Sequence, residues 1–181
     1  MRSSLTPLRQ VRLCIVVVML GLFVAGVTAF PLLTEINYLA GLLNGGSADL
    51  DPTHYSGLTA WILTVREGLE VTYRDYPFIA YGTDWLAFGH LMIMLFFVLP
   101  YGEPVRYEGV LEVGIWMSVL VFPLALICGP IRGIPWWWRL VDCSFGVGCI
   151  PPLWWALRQV AVLKREGASA AAVPPASRHL D

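Results

Sequence analysis

The sequence predicts an all-α integral membrane protein: four transmembrane helices, with an extracytoplasmic amphipathic helical segment between the first and second. Three observations predict it. Of 181 residues, 57% are apolar and only 14% charged, against about 25% charged in soluble domains. Four uncharged or nearly uncharged apolar stretches have the length needed to cross a bilayer. Tryptophan and tyrosine cluster at the ends of the later stretches, where an amphipathic ring prefers the boundary between hydrocarbon and water.

Each element follows from its own residues. The first stretch, residues 13–30, is LCIVVVMLGLFVAGVTAF, 18 residues without a charge. At 1.5 Å per residue it crosses most of a ~30 Å core. It also has the build of a signal peptide, with small residues at Val27 and Ala29 before a cut that would leave Phe30 first. Its length favours an uncleaved span. The second span covers 84–101, flanked by Tyr81, Trp85 and Tyr101, with Thr83 or Asp84 as its cap. The third covers 113–129 and contains Pro123, where a kink is expected. The fourth covers 136–155. Trp137 and Trp154 are 17 residues apart along it, roughly 26 Å of helix. A kink is expected at Pro151–Pro152, after which residues 156–166 leave as an interfacial helix. The tail, 167–181, is small, polar and proline-containing, and is expected to be disordered.

The intervening segment, 31–83, reads as an amphipathic lid. Leu32–Leu43 forms a short helix stopped by Asn44-Gly45-Gly46. Leu58–Tyr73 forms another, with Leu58, Trp61, Ile62, Val65 and Leu69 on one side and a Glu70–Arg74 pair one turn apart.

Arginine placement sets orientation. Arg2, Arg9 and Arg12 precede the first span, and Arg158, Lys164 and Arg165 follow the fourth, so both termini are expected in the cytoplasm. Lys164 is the single lysine among 12 basic residues. With abundant Ala, Gly, Val and Pro, this suggests a GC-rich bacterial source and hence the bacterial inner membrane.

Helices in lipid pack through small residues. Gly21, Ala25 and Ala29 on the first span, Gly114, Ser118, Ala125 and Gly129 on the third, and Ser144 and Gly148 on the fourth mark the faces expected to touch a neighbour.

Ionisable groups inside a membrane are costly and face a protein interior or water. Asp84, His90, Arg139 and Asp142 are such groups. His90 lies ~8 Å below Trp85, and Asp142 lies ~8 Å below Trp137. Arg139 and Asp142 are three apart and placed to pair. His90, Asp84 and Asp142 are the candidates for catalysis. Arg139, Arg132, Glu67, Glu70 and Arg74 are the candidates for ligand binding, the last three approaching from the lid. The plainer reading makes them structural, with Arg139 paired to Asp142 and His90 bonded to a neighbouring helix.

Several classes are excluded. A net charge of −1 gives no footprint for nucleic acid. The four cysteines, Cys14, Cys128, Cys143 and Cys149, have neither zinc nor c-type haem spacing, so no metal site is expected. No cofactor is expected; a haem shared between two subunits is the one haem arrangement His90 leaves open. There is no nucleophile elbow, no arginine ladder of a voltage sensor and no paired halves of a transporter. The expected role is an accessory or assembly subunit. Its partners are the lipid bilayer and either other membrane-protein subunits or copies of itself. The alternative is a small membrane enzyme or ligand-binding protein with an outer-leaflet polar pocket around His90 and Asp142.

Overall fold

A computed structural model describes residues 5–172. Every regular element among them is helical. In chain order these are α1 (Pro7–Ala29), α2 (Leu32–Leu43), a 3-10 turn at Pro52–His54, α3 (Gly57–Asp75), α4 (Pro77–Phe96) and α5 (Val98–Gly102). Then come α6 (Glu108–Pro123), a π-helical turn at Leu124–Cys128, α7 (Gly129–Ile131) and α8 (Trp136–Ala172). Four helical stretches among the described residues are long and apolar enough to cross a membrane: Pro7–Ala29, Pro77–Gly102, Glu108–Ile131 and the helix that starts at Trp136.

Each of these extends beyond its predicted span. The second starts at Pro77, not at residue 84. Proline suits the first helical position because its missing N–H would be unpaired there anyway. Thr83 caps nothing: its hydroxyl donates to Ala80 O at 2.7 Å inside the helix. The third keeps its helical path past Pro123 through the π turn, the wider winding that absorbs the missing proline N–H.

The fourth corrects two expectations. Residues 156–166 are not a separate interfacial helix, because α8 runs through Pro151–Pro152 as one 37-residue element. Residues 167–172 are helical as well. Alanines 168 and 170–172 are the best helix formers, and extending an existing helix carries no nucleation cost. The rest of the expected disordered tail, 173–181, lies outside the described residues. At about 55 Å, α8 is longer than the hydrocarbon core is thick.

The chain divides into two compact units, residues 5–20 with 94–172 and residues 21–93. In the first, α6 lies along α8. Leu111, Gly114, Ser118, Ala125 and Gly129 form the buried stripe of α6 and of the turns that follow it. Cys143, Leu153, Ala156 and Val160 are buried on α8. Small residues set the approach. A Cβ on Gly146 would fall 2.5 Å from Ser118 O, and one on Gly114 would fall 2.9 Å from the Phe97 ring and 3.1 Å from Leu153. The predicted small face of the third span is therefore packed. That of the fourth is not: Ser144 and Gly148 are exposed, with open space around Gly148. Residue spacing defines a face but not the rotation of the helix, and α8 is turned so that Gly146 meets α6.

One end of this unit is tied by polar contacts. Arg12 Nε donates to Tyr101 O at 3.1 Å, Trp155 Nε1 donates to Gln10 at 3.1 Å, and Lys164 pairs with Glu108. Arg158 stacks on Trp154 at 3.9 Å. The start of α1 and the far part of α8 thus share one end.

In the second unit, α2 packs on α3 with Ala40, Ile62 and Leu63 buried. Gly45 and Gly46 both take positive φ and end α2 as predicted, with Gly46 N–H donating to Gly41 O at 2.9 Å. Only glycine enters that region without strain. The loop beyond is held by its side chains. Asp51 accepts from the Thr53 N–H and hydroxyl at 2.8 and 2.6 Å, and His54 Nδ1 donates to Asp49 at 2.7 Å.

The Asp51 backbone N–H and His54 hold the Asp49 carboxyl below its usual range. Asp49 first, and Asp51 second, raise His54. The raised histidine stabilises the loop while it is protonated, an effect full below its ordinary pKa and lost as pH rises through the raised value. The lowered aspartate contributes above its ordinary pKa and loses this as pH falls. The loop is therefore expected to be tightest between about pH 4 and pH 6.5. Amide exchange across residues 49–55 should be slowest in that window and faster at pH 8 after correction for the intrinsic rate. A profile flat after that correction would contradict the pairing.

Candidate functional site

The candidate residues fall into both units. Arg132, Arg139 and Asp142 belong to the unit of α6 and α8, and Asp84, His90, Glu67, Glu70 and Arg74 belong to the other.

The first group surrounds the join between α6 and α8. A groove of about 180 Å³ opens there, walled by Val121, Leu124, Ala125 and Ile134, with Cys128 and Gly129. Its two charged residues are Arg132 and Asp142. Three local features build it. The π turn after Pro123 widens the end of α6. Gly133, at φ +71°, reverses the chain. Trp136 then opens α8, which carries Asp142 back alongside the π turn.

The predicted Arg139–Asp142 pair does not form; neither side chain takes part in a salt bridge among the described residues. Arg139 lies instead along Gly129. A Cβ at that glycine would come within 2.5 Å of Arg139 Cδ, so only a glycine leaves the seat open. The Arg139 Nε is buried there without a hydrogen-bond partner. Ser144, next to the site, donates to Val141 O at 2.6 Å, which ties its proton to its own helix.

The second group is dispersed. His90 is half-buried on α4, and its Nδ1 lies 2.8 Å from Leu86 O. A carbonyl only accepts, so Nδ1 carries a proton and donates it to Leu86 O. The expected bond to a neighbouring helix is thus replaced by one within α4. Asp84 is half-buried and Glu67 exposed. The predicted Glu70–Arg74 pair is also replaced. Glu70 pairs with Arg66 at 2.5 Å, whose side chain is only 17% exposed. Arg74 pairs with Asp75 at 2.7 Å. Arg66 is less hydrated than Arg74, so a carboxylate beside it relieves more desolvation, while Arg74 has an adjacent acid of its own. Sequence reasoning missed Arg66, although its i, i+4 spacing to Glu70 was on the page.

Among the described residues no three His, Cys, Asp or Glu side chains gather to hold a metal ion. No family model, curated protein or solved structure matches the chain. What the geometry provides is an apolar groove lined by one carboxylate and one guanidinium that form no ion pair with each other.

Proposed function

We propose that the chain is a multi-pass protein of a bacterial inner membrane, acting as an accessory or assembly subunit that packs against other membrane proteins. Both termini lie in the cytoplasm, and α2 and α3 lie outside. One observation carries the reading: Asp142 and Arg139, on a helix apolar enough to span a membrane, have no ion-pair partner among the described residues. A charge within a span costs up to about 3 kcal/mol. Proteins offset such a cost with a counter-ion, and a partner subunit supplies one. The open faces at Gly21 and Gly148, with nothing within 4 Å, fit close approach of further helices. The gathering of Arg12, Arg158 and Lys164 at one end of their unit supports the orientation.

The expected result, on extraction from native membranes in a mild detergent, is a particle well above the 20.1 kDa of one chain that contains a second polypeptide. A lone monomer would overturn the reading. A second reading, a small-ligand-binding protein, draws on the Arg132–Asp142 groove. It requires Asp142→Asn to abolish binding while the particle mass stays unchanged.

A further inference from the structure

We propose that Asp142 is the docking point for a basic side chain, Arg or Lys, carried by a membrane-spanning helix of a partner protein. The inference rests on the subunit reading above and names what the partner must bring.

Charge complementarity selects the occupant. Asp142 lies six residues into α8, about 9 Å along the axis from Trp136, and lines the groove while half-buried. Its carboxylate takes part in no salt bridge among the described residues. Neither arginine of its own neighbourhood forms an ion pair with it. Arg139 fills the seat over Gly129. Arg132 lies on the exposed turn and lines the same groove, but it forms no ion pair with Asp142. An acidic or neutral partner would leave the carboxylate uncompensated in hydrocarbon.

Shape agrees with charge. Val121, Leu124 and Ile134 give the groove apolar walls, and its volume of about 180 Å³ equals that of about six water molecules. A long aliphatic stem packs against such walls while its charged tip reaches a carboxylate. Arginine adds a two-pronged match to the carboxylate.

The test uses the full chain in its own membranes, with a photo-reactive p-benzoylphenylalanine replacing Ile134. The expected result is an adduct with a second polypeptide, linked within one helical turn of a Lys or Arg in a membrane span of that partner. Its yield should fall at least fivefold with Asp142→Asn and be retained with Asp142→Glu. Exchanging the charges, Asp142→Lys with the partner's base changed to Asp, should restore it. That restoration separates pairing from a folding defect. The proposal is overturned by no adduct in the unsubstituted background or by a yield indifferent to Asp142→Asn. Adducts only with lipid, with another segment of this chain or with a second copy also overturn it, as does a linked peptide without a base. If a second polypeptide co-purifies but its link ignores Asp142, this inference falls and the subunit reading stands. If none co-purifies, both fall.

Discussion

Gly146→Val is expected to force α6 and α8 apart. The added Cβ alone would lie 2.5 Å from Ser118 O and 3.2 Å from the Phe122 ring. A ring can rotate away, but a backbone oxygen inside a helix moves only if the helix moves. Overpacking of this kind costs about 1–3 kcal/mol, and a branched side chain should sit at the upper end. The control is Gly148→Ala, two residues along on the same helix with nothing within 4 Å. It should be neutral or gain up to about 1 kcal/mol from helix propensity. Reversible unfolding in mixed micelles of a mild detergent and dodecyl sulfate measures both. Equal effects from the two substitutions would mean that α8 is rotated differently from the structure described.

Ile62→Ala is expected to cost about 2–4 kcal/mol and to act locally. Ile62 is 0% exposed and Leu63 1%, on the face of α3 that packs against α2. The short α2 buries few residues besides Ala40, so a cavity under it has little left to hold the pair together. Amide exchange should quicken across both helices by roughly the corresponding factor, about thirtyfold or more, while α6 and α8 keep their protection. Slow exchange retained in α2 would show that Ile62 does not hold the two helices together.

The helical class and the positions of the apolar helices were legible because the solvent writes them into composition. An apolar run of span length has few other uses, and Asn44-Gly45-Gly46 stops α2 where only glycine fits. Boundaries were less legible. Apolar content marks the part of a helix suited to hydrocarbon, whereas hydrogen bonding and proline placement set where it begins and ends. Pro77, Thr83 and the alanines after Gly167 show the difference.

Rotation was least legible. Gly114 and Ser118 are buried on α6, and Ala125 and Gly129 in the turns after it, yet on α8 the small residue in contact is Gly146 rather than Ser144 or Gly148. A four-residue spacing occurs on more than one face of such a helix, and packing decides among them. The same limit governs the charged residues. Spacing alone paired Arg139 with Asp142 and Glu70 with Arg74. In the structure, Arg139 packs along the bare backbone of Gly129 and forms no pair with Asp142, and the sheltered Arg66 takes Glu70. The grouping of Arg132 with Asp142 at one groove follows from the short turn between α7 and α8.

The account as a whole requires that lipid, not water, surrounds the long apolar helices. Leu13, Leu20, Val24, Leu120, Leu124, Leu140 and Phe145 are each more than half exposed, which suits contact with lipid. The most direct measurement is fractionation of cells expressing the full chain, with an alkaline carbonate wash of the membranes. The protein should remain entirely in the washed pellet and leave it only with detergent. Recovery in the high-speed supernatant, or release by carbonate alone, would contradict the account at its root.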